Sequence, residues 1–209
     1  MRQDASQNMG TRCRALAMEC GEDSVRRMAR TGRHSIGPDG RQTLRTMNVD
    51  EILRTLNQEQ VDYLLIGGMN FLLRHLPELT WDVDIWVKDD AENLARLNRA
   101  LHLLGAGWGR TESEWGPVAT DSRWLMTQEV FCLTTAHGAL DVFRDVRGLE
   151  GRYLDCKARG VRAHTAAGIP FTGLSDEDML ACQQALPVQE RKERRIQVLR
   201  EAIQQAKGR

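Results

Sequence analysis

The 209-residue sequence has no run of 18 apolar residues, so it offers no candidate membrane-spanning helix. It lacks net charge: 29 basic residues balance 29 acidic ones, and no global field draws the chain to nucleic acid, membrane or an acidic partner. A local charged site is the only electrostatic attractor this leaves. The five cysteines (Cys13, Cys20, Cys132, Cys156, Cys182) are odd in number, scattered and without metal-type spacing. They read as reduced thiols of a cytoplasmic protein, and the N-terminal region has no apolar stretch of the secretory type. Internal repeats are also missing. What remains is ordinary for a soluble domain: 41% hydrophobic and 28% charged residues, in a chain long enough to bury a core.

Residues 1–46 differ from the rest, with nine arginines, no lysine and little apolar periodicity. They read as a flexible Arg-rich tail with a short helix near 25–29, either solvated or serving as a nucleic-acid-binding arm. Met47 is a possible natural start. From there the patterning is regular. Val49, Ile52, Leu53 and Leu56 have helical spacing behind a candidate cap, Asn48. A strand is expected over 61–66, a helix over 69–76 stopped by Pro77, a strand over 81–87 and a helix over 91–104. Residues 105–124 read as a long loop. Its Trp108, Trp115 and Trp124 either stack on a ligand or anchor the loop. Strands over 129–134 and 139–143 flank a turn at 136–138, where His137 is a candidate cleft residue. A helix over 149–158 and short strands over 161–164 and 169–171 follow. Ser175 then caps a helix, and a last helix carries Ile196, Leu199 and Ile203 on one face.

The chemistry concentrates in VDYLLIGGMNFLLRHLPELTWDVDIWVKDD, Val61 to Asp90. Side chains of a strand alternate between faces, so Trp81, Val83, Ile85 and Val87 share one face and Asp82, Asp84, Trp86 and Lys88 the other. The two carboxylates then lie roughly 7 Å apart along the strand. A divalent cation relieves their repulsion, and hard oxygen donors suit Mg²⁺ or Mn²⁺; two solvated acids are the bland alternative. Asp141, in ALDVF, offers a third strand-borne carboxylate. Gly67-Gly68, between strand and helix, lets a ligand approach the backbone, and the helix start suits a phosphate.

The ordered set of IGG (Ile66 to Gly68), TWDVDIWV (Thr80 to Val87) and LDVF (Leu140 to Phe143) resembles the nucleotidyltransferase superfamily, the DNA polymerase beta-like group. Small bacterial members of the AbiEii toxin type are the most similar, over roughly Met47 to Ile203. The resemblance implies an α+β (α/β) fold: a small mixed sheet flanked by helices, with a core over 47–172 and C-terminal helices over 173–209 packed on it. It implies transfer of a nucleoside monophosphate from an NTP to a hydroxyl, with Mg²⁺ or Mn²⁺ held by Asp82, Asp84 and Asp141. Gly67, Gly68, Asn70 and Thr80 would contact the nucleotide, with Arg74, Lys88 and Arg144 as candidate cations beside the triphosphate. The acceptor implied is RNA or protein, with the chain as a toxin and a cognate antitoxin as partner. A small-molecule (antibiotic) transferase and a catalytically inactive binding partner are the alternatives.

Overall fold

The computed structural model describes residues 47–77 and 79–208. The expected tail and its short helix, Cys13, Cys20 and Glu78 lie outside the described residues.

Three of the described helices begin where the sequence supplies a side-chain cap. The Asn48 side chain accepts the Glu51 N–H at 3.1 Å and starts α1 (Val49–Gln58), whose Ile52, Leu53 and Leu56 are fully buried. After β1 (Tyr63–Leu65), α2 (Gly67–Arg74) and β2 (Asp82–Val87), the Asp90 carboxylate accepts the Asn93 N–H at 2.8 Å and starts α3 (Ala91–Leu103). The segment expected as a loop contains β3 (Gly107–Trp108) and β4 (Gly116–Pro117), together with two short 3-10 turns. Then come β5 (Val130–Thr135), β6 (Gly138–Phe143), α4 (Tyr153–Ala158), β7 (Val161–His164) and β8 (Pro170–Gly173). The Ser175 hydroxyl accepts the Asp178 N–H at 3.2 Å and opens α5 (Asp176–Ala185), whose first turn is acidic, as the helix dipole favours. The last helix is α6 (Glu193–Lys207).

The strands form one mixed sheet in the order β4-β3-β5-β6-β2-β1-β8-β7. β2 runs parallel to β6 and β1 parallel to β8, while the other pairings are antiparallel. The fold is thus the helix-flanked mixed sheet expected from the sequence. Both sheet faces are covered. Val83, Ile85, Val87, Leu140 and Val142 pack with Ile52 and Leu53 of α1 and Leu94, Leu97 and Leu101 of α3. On the opposite face, Leu64 and Trp86 pack with Tyr153 of α4, Met179 of α5 and Leu199 of α6. Trp86 is fully buried, set edge-on to Tyr153 at 5.3 Å, and its indole N–H donates to the Arg144 carbonyl at 3.2 Å. The acidic face of β2 therefore becomes apolar within two residues of Asp84.

One expectation in this region needs correction. Gly67-Gly68 is the first turn of α2, not a turn ahead of it, so the helix starts two residues earlier than its apolar spacing suggests. Of the cysteines expected as reduced thiols, Cys156 and Cys182 are free. Trp108 and Trp124 resolve as anchors: both rings pack on Phe131, and the Trp124 indole donates to Asn98 at 2.8 Å. Trp115 is exposed. Among the described residues no helix is long and apolar enough to cross a membrane.

Asn93, fully buried at the start of α3, ties the start of β1 to the end of β2. Its amide donates to the Asp62 and Lys88 carbonyls at 2.9 Å each and accepts the Asp62 N–H at 2.7 Å. Asn93→Leu takes this partner from the Asp62 N–H, while the Asp62 and Lys88 carbonyls still accept the Lys88 and Asp90 N–H groups at 3.0 and 3.1 Å, and is expected to cost about 2 kcal/mol in urea unfolding. A loss below about 0.5 kcal/mol would show that the Asp62 N–H finds another partner.

Candidate metal centre

The parallel pairing of β2 with β6 sets Asp84 directly beside Asp141, and Asp82 beside Ala139. Side chains on one face of neighbouring strands meet, so the register alone brings both acidic positions of β2 to the third. One carboxylate oxygen from each of Asp82, Asp84 and Asp141 lies within 4.8 Å of the others. Asp141 is 6% exposed, and Asp82 and Asp84 are half-buried.

Placed so closely, Asp84 and Asp141 resist ionisation. Burial, and then the charge of Asp82, push the Asp84 carboxyl up to about 7; the Gly68 N–H and the positive charges of Arg195 and Lys192 pull the other way. Burial raises Asp141 well above the ordinary carboxylate range, with Asp84 and Asp82 adding to it. Three hard oxygen donors, crowded and short of positive charge, are a donor set that a divalent cation such as Mg²⁺ or Mn²⁺ fits.

The surrounding residues hold this arrangement. The Thr80 hydroxyl donates to Asp82 Oδ1 at 3.0 Å, which orients that carboxylate. Gly67 has φ of +62°, and any Cβ there would overlap the Asp84 carboxylate. At Gly68 a Cβ would stand 2.7 Å from Thr80 Oγ1. The two glycines are thus demanded first by the acids and Thr80, which press against the start of α2. Asn70, expected at the nucleotide, is turned away from it. It is fully buried, and its amide donates to the Leu174 carbonyl at 3.0 Å. It fixes α2 to the end of β8, a positioning role and a correction to the expected contact.

The expected cations are also engaged elsewhere. Arg74 binds the Leu174 carbonyl at 2.6 Å and Asp176 at 2.7 Å. Lys88 pairs with Asp90 at 3.0 Å, and Arg144 forks onto both oxygens of Asp89 at 2.9 and 2.7 Å. The cations that act on Asp84 are Arg195 and Lys192, at the start of α6. Arg195 is 6% exposed and lies over the Phe71 ring of α2, 5.3 Å from its centroid. One of its terminal nitrogens would sit 3.5 Å from a Cβ at Gly68. Their only signal in the sequence is the run RKERR, which reads as a solvated helix face. At His137 the backbone carbonyl receives the Asn48 N–H at 2.8 Å, which joins the β5–β6 turn to the start of α1.

No protein-family model matches the chain, and a search of curated proteins finds no match. Among solved structures the chain is similar to the lincosamide antibiotic adenylyltransferase LnuA with lincomycin bound, at 15% identity and a TM-score of 0.48 over 74% of this chain and 97% of that one. It is similar to the antibiotic-resistance factor ANT(2'')-Ia in solution, at 14% identity and a TM-score of 0.46 over 76% and 82%. The same factor in complex with adenylyl-2''-tobramycin gives 16% identity and a TM-score of 0.44 over 76% and 87%.

The raised carboxyls predict a pH signature for the metal-free protein. Asp84 holds its proton up to about pH 7 when folded but releases it near 3.8 when unfolded. Between those values the folded state binds more protons, so stability is highest below the lower value and falls as pH rises through the upper one. The melting temperature should therefore drop from about pH 5 to about pH 8, and saturating Mn²⁺ should restore more of it at the higher pH. Asp141→Asn should flatten the pH dependence and abolish the Mn²⁺ response. An equal Mn²⁺ response in wild type and Asp141→Asn would place the ion elsewhere.

Proposed function

We propose that the protein transfers a nucleoside monophosphate from a nucleoside triphosphate to a hydroxyl group and releases pyrophosphate. The observation that supports this most directly is the convergence of Asp82, Asp84 and Asp141 on one point, beside the first turn of α2. Carboxylates that cost stability when unpaired persist where they hold something, and here they face a helix start suited to phosphate.

In this reading Asp82, Asp84 and Asp141 would hold the divalent cation, with Asp82 and Asp84 serving the triphosphate and Asp141 the acceptor. Divalent cations there supply the charge that stabilises the phosphoryl oxygens as the new bond forms. The chain's own residues position the reactants, which is most of what phosphoryl transfer requires. Thr80 keeps Asp82 aimed inward. Gly67 and Gly68 let Asp84 and Thr80 close on the first turn of α2. Arg195 and Lys192 offset negative charge on the side of Asp84. The acceptor oxygen bonds to the α-phosphorus, the bond to pyrophosphate breaks, and the hydroxyl proton leaves to solvent. The AbiEii-type sequence resemblance favours RNA or protein as the acceptor, in a toxin–antitoxin setting. A small molecule would be read out by the same assay.

Incubation with an α-labelled NTP and Mg²⁺ should move label onto a component of total RNA or cell lysate. Asp82→Ala and Asp141→Ala should each reduce the transfer by on the order of 10²-fold or more. Transfer exclusively to purified antibiotics would replace the macromolecular acceptor with a small one. No transfer from any of the four NTPs to RNA, protein or antibiotic would refute the proposal.

A further inference from the structure

The connection from α2 to β2 leaves two leucines in solvent. Leu76 is 37% exposed and Leu79 73%, with exposed Pro77 between them. A cavity of about 260 Å³ separates these residues from the start of α6, where Lys192, Arg194 and Arg195 form the facing wall. Lys192 and Arg194 are exposed, whereas Arg195 is buried over the Phe71 ring and closes the floor. Among the described residues no acidic side chain lines the cavity. In a chain without net charge, an apolar rim here faces a wall of one sign.

The cleft is preformed. At one end of the connection His75 Nε2 stands 2.9 Å from an Asp176 oxygen, and at the other the Thr80 hydroxyl donates to Asp82 at 3.0 Å. On the opposite wall the Lys192 N–H donates to Gln183 Oε1 at 3.1 Å. The leucines therefore stand exposed on an anchored segment, and an anchored surface loses little conformational freedom on binding.

Size and chemistry select the occupant. The cavity falls below the roughly 300–1,000 Å³ of pockets that enclose a whole small molecule. It suits a single apolar side chain, the kind of anchor that dominates affinity at protein interfaces. Nucleic acid would need ring faces on which to stack its bases. The exposed apolar groups are aliphatic, and Phe71 is 3% exposed beneath Arg195. Carboxylates beside the anchor would meet complementary charge at Lys192 and Arg194.

We propose that this cleft docks an acidic segment of a partner protein. One apolar residue of that segment seats against Leu76 and Leu79, and its flanking carboxylates pair with Lys192 and Arg194. The proposal goes beyond the transferase reading and is independent of it, because no nucleotide takes part. Arg195, the floor of the cleft, also acts on Asp84, so the partner docks one side chain away from the metal centre.

A phage-displayed library of random dodecapeptides, selected on the full-length protein and counter-selected on Leu79→Asp, tests this. Enriched peptides should carry leucine, methionine or phenylalanine beside aspartate or glutamate. An enriched peptide labelled with fluorescein should bind wild type and Leu79→Met alike in anisotropy titrations. Leu79→Asp and Arg194→Glu should each weaken it about tenfold, and added salt should weaken it further. Both substitutions fall at exposed positions, so the melting temperature should stay unchanged. No enrichment, enrichment of peptides without acids, or equal binding to Leu79→Asp and wild type would overturn the proposal. So would a dimer seen in sedimentation and lost in Leu79→Asp, which would give the cleft to a second copy of the chain. Displacement of the peptide by oligouridylate would give it to nucleic acid and overturn the proposal equally.

Discussion

The mutual repulsion of three carboxylates in a half-buried pocket is the constraint to which the rest of the structure answers. Burial pushes Asp84 and Asp141 towards their neutral forms, and the charge of Asp82 makes ionisation of both harder. The surroundings return only part of that cost, through the Gly68 N–H and the charges of Arg195 and Lys192. The arrangement is held by force from outside: two parallel strands in fixed register and an apolar face that becomes dry at Trp86. A centre of this kind is less stable empty than it would be with apolar residues, which is the usual relation between a prepared site and its fold.

Helix α2 carries the load between the site and the C-terminal part of the chain. Its first turn is pressed by Asp84 and Thr80. Its outer side is bolted to the start of α5: Asn70 and Arg74 hold the Leu174 carbonyl, and Arg74 and His75 both reach Asp176, the latter at 2.9 Å. On a third side Phe71 receives Arg195 from α6. A small shift of α5 or α6 would pass through this helix to the Asp84 carboxylate, because packed elements move as units.

What was legible in the sequence was the part governed by local rules. Period-two alternation placed Asp82 and Asp84 on one face, Asp141 stood out as an acid in an apolar strand, and Asn48 and Ser175 marked helix starts by cap chemistry. Gly67-Gly68 has the local pattern of a turn because glycine usually breaks helices. Nothing local reveals that a carboxylate from the next strand fills the space where side chains would stand. Asn70 follows the glycines in sequence, but its partner at Leu174 is far along the chain. Arg195 and Lys192 are equally remote from the acids in sequence. Their role comes from tertiary packing of α6 on α2, and a basic run at a helix start has the same pattern when it only meets water.

The parallel register of β2 and β6 also bears on how the molecule forms. Strands that run parallel cannot be joined by a tight turn, and the connection here contains α3 and β3 to β5. Asp84 and Asp141 therefore meet only after a large loop has closed, which is a slow, late class of contact. Early folding steps are spared the electrostatic penalty, since the acids remain apart and solvated until the central strands zip together. The barrier this leaves is concentrated in the final docking of β6. Conditions that neutralise the acids, by protons or by divalent ions, should act on the rate of that last step more than on the collapse before it.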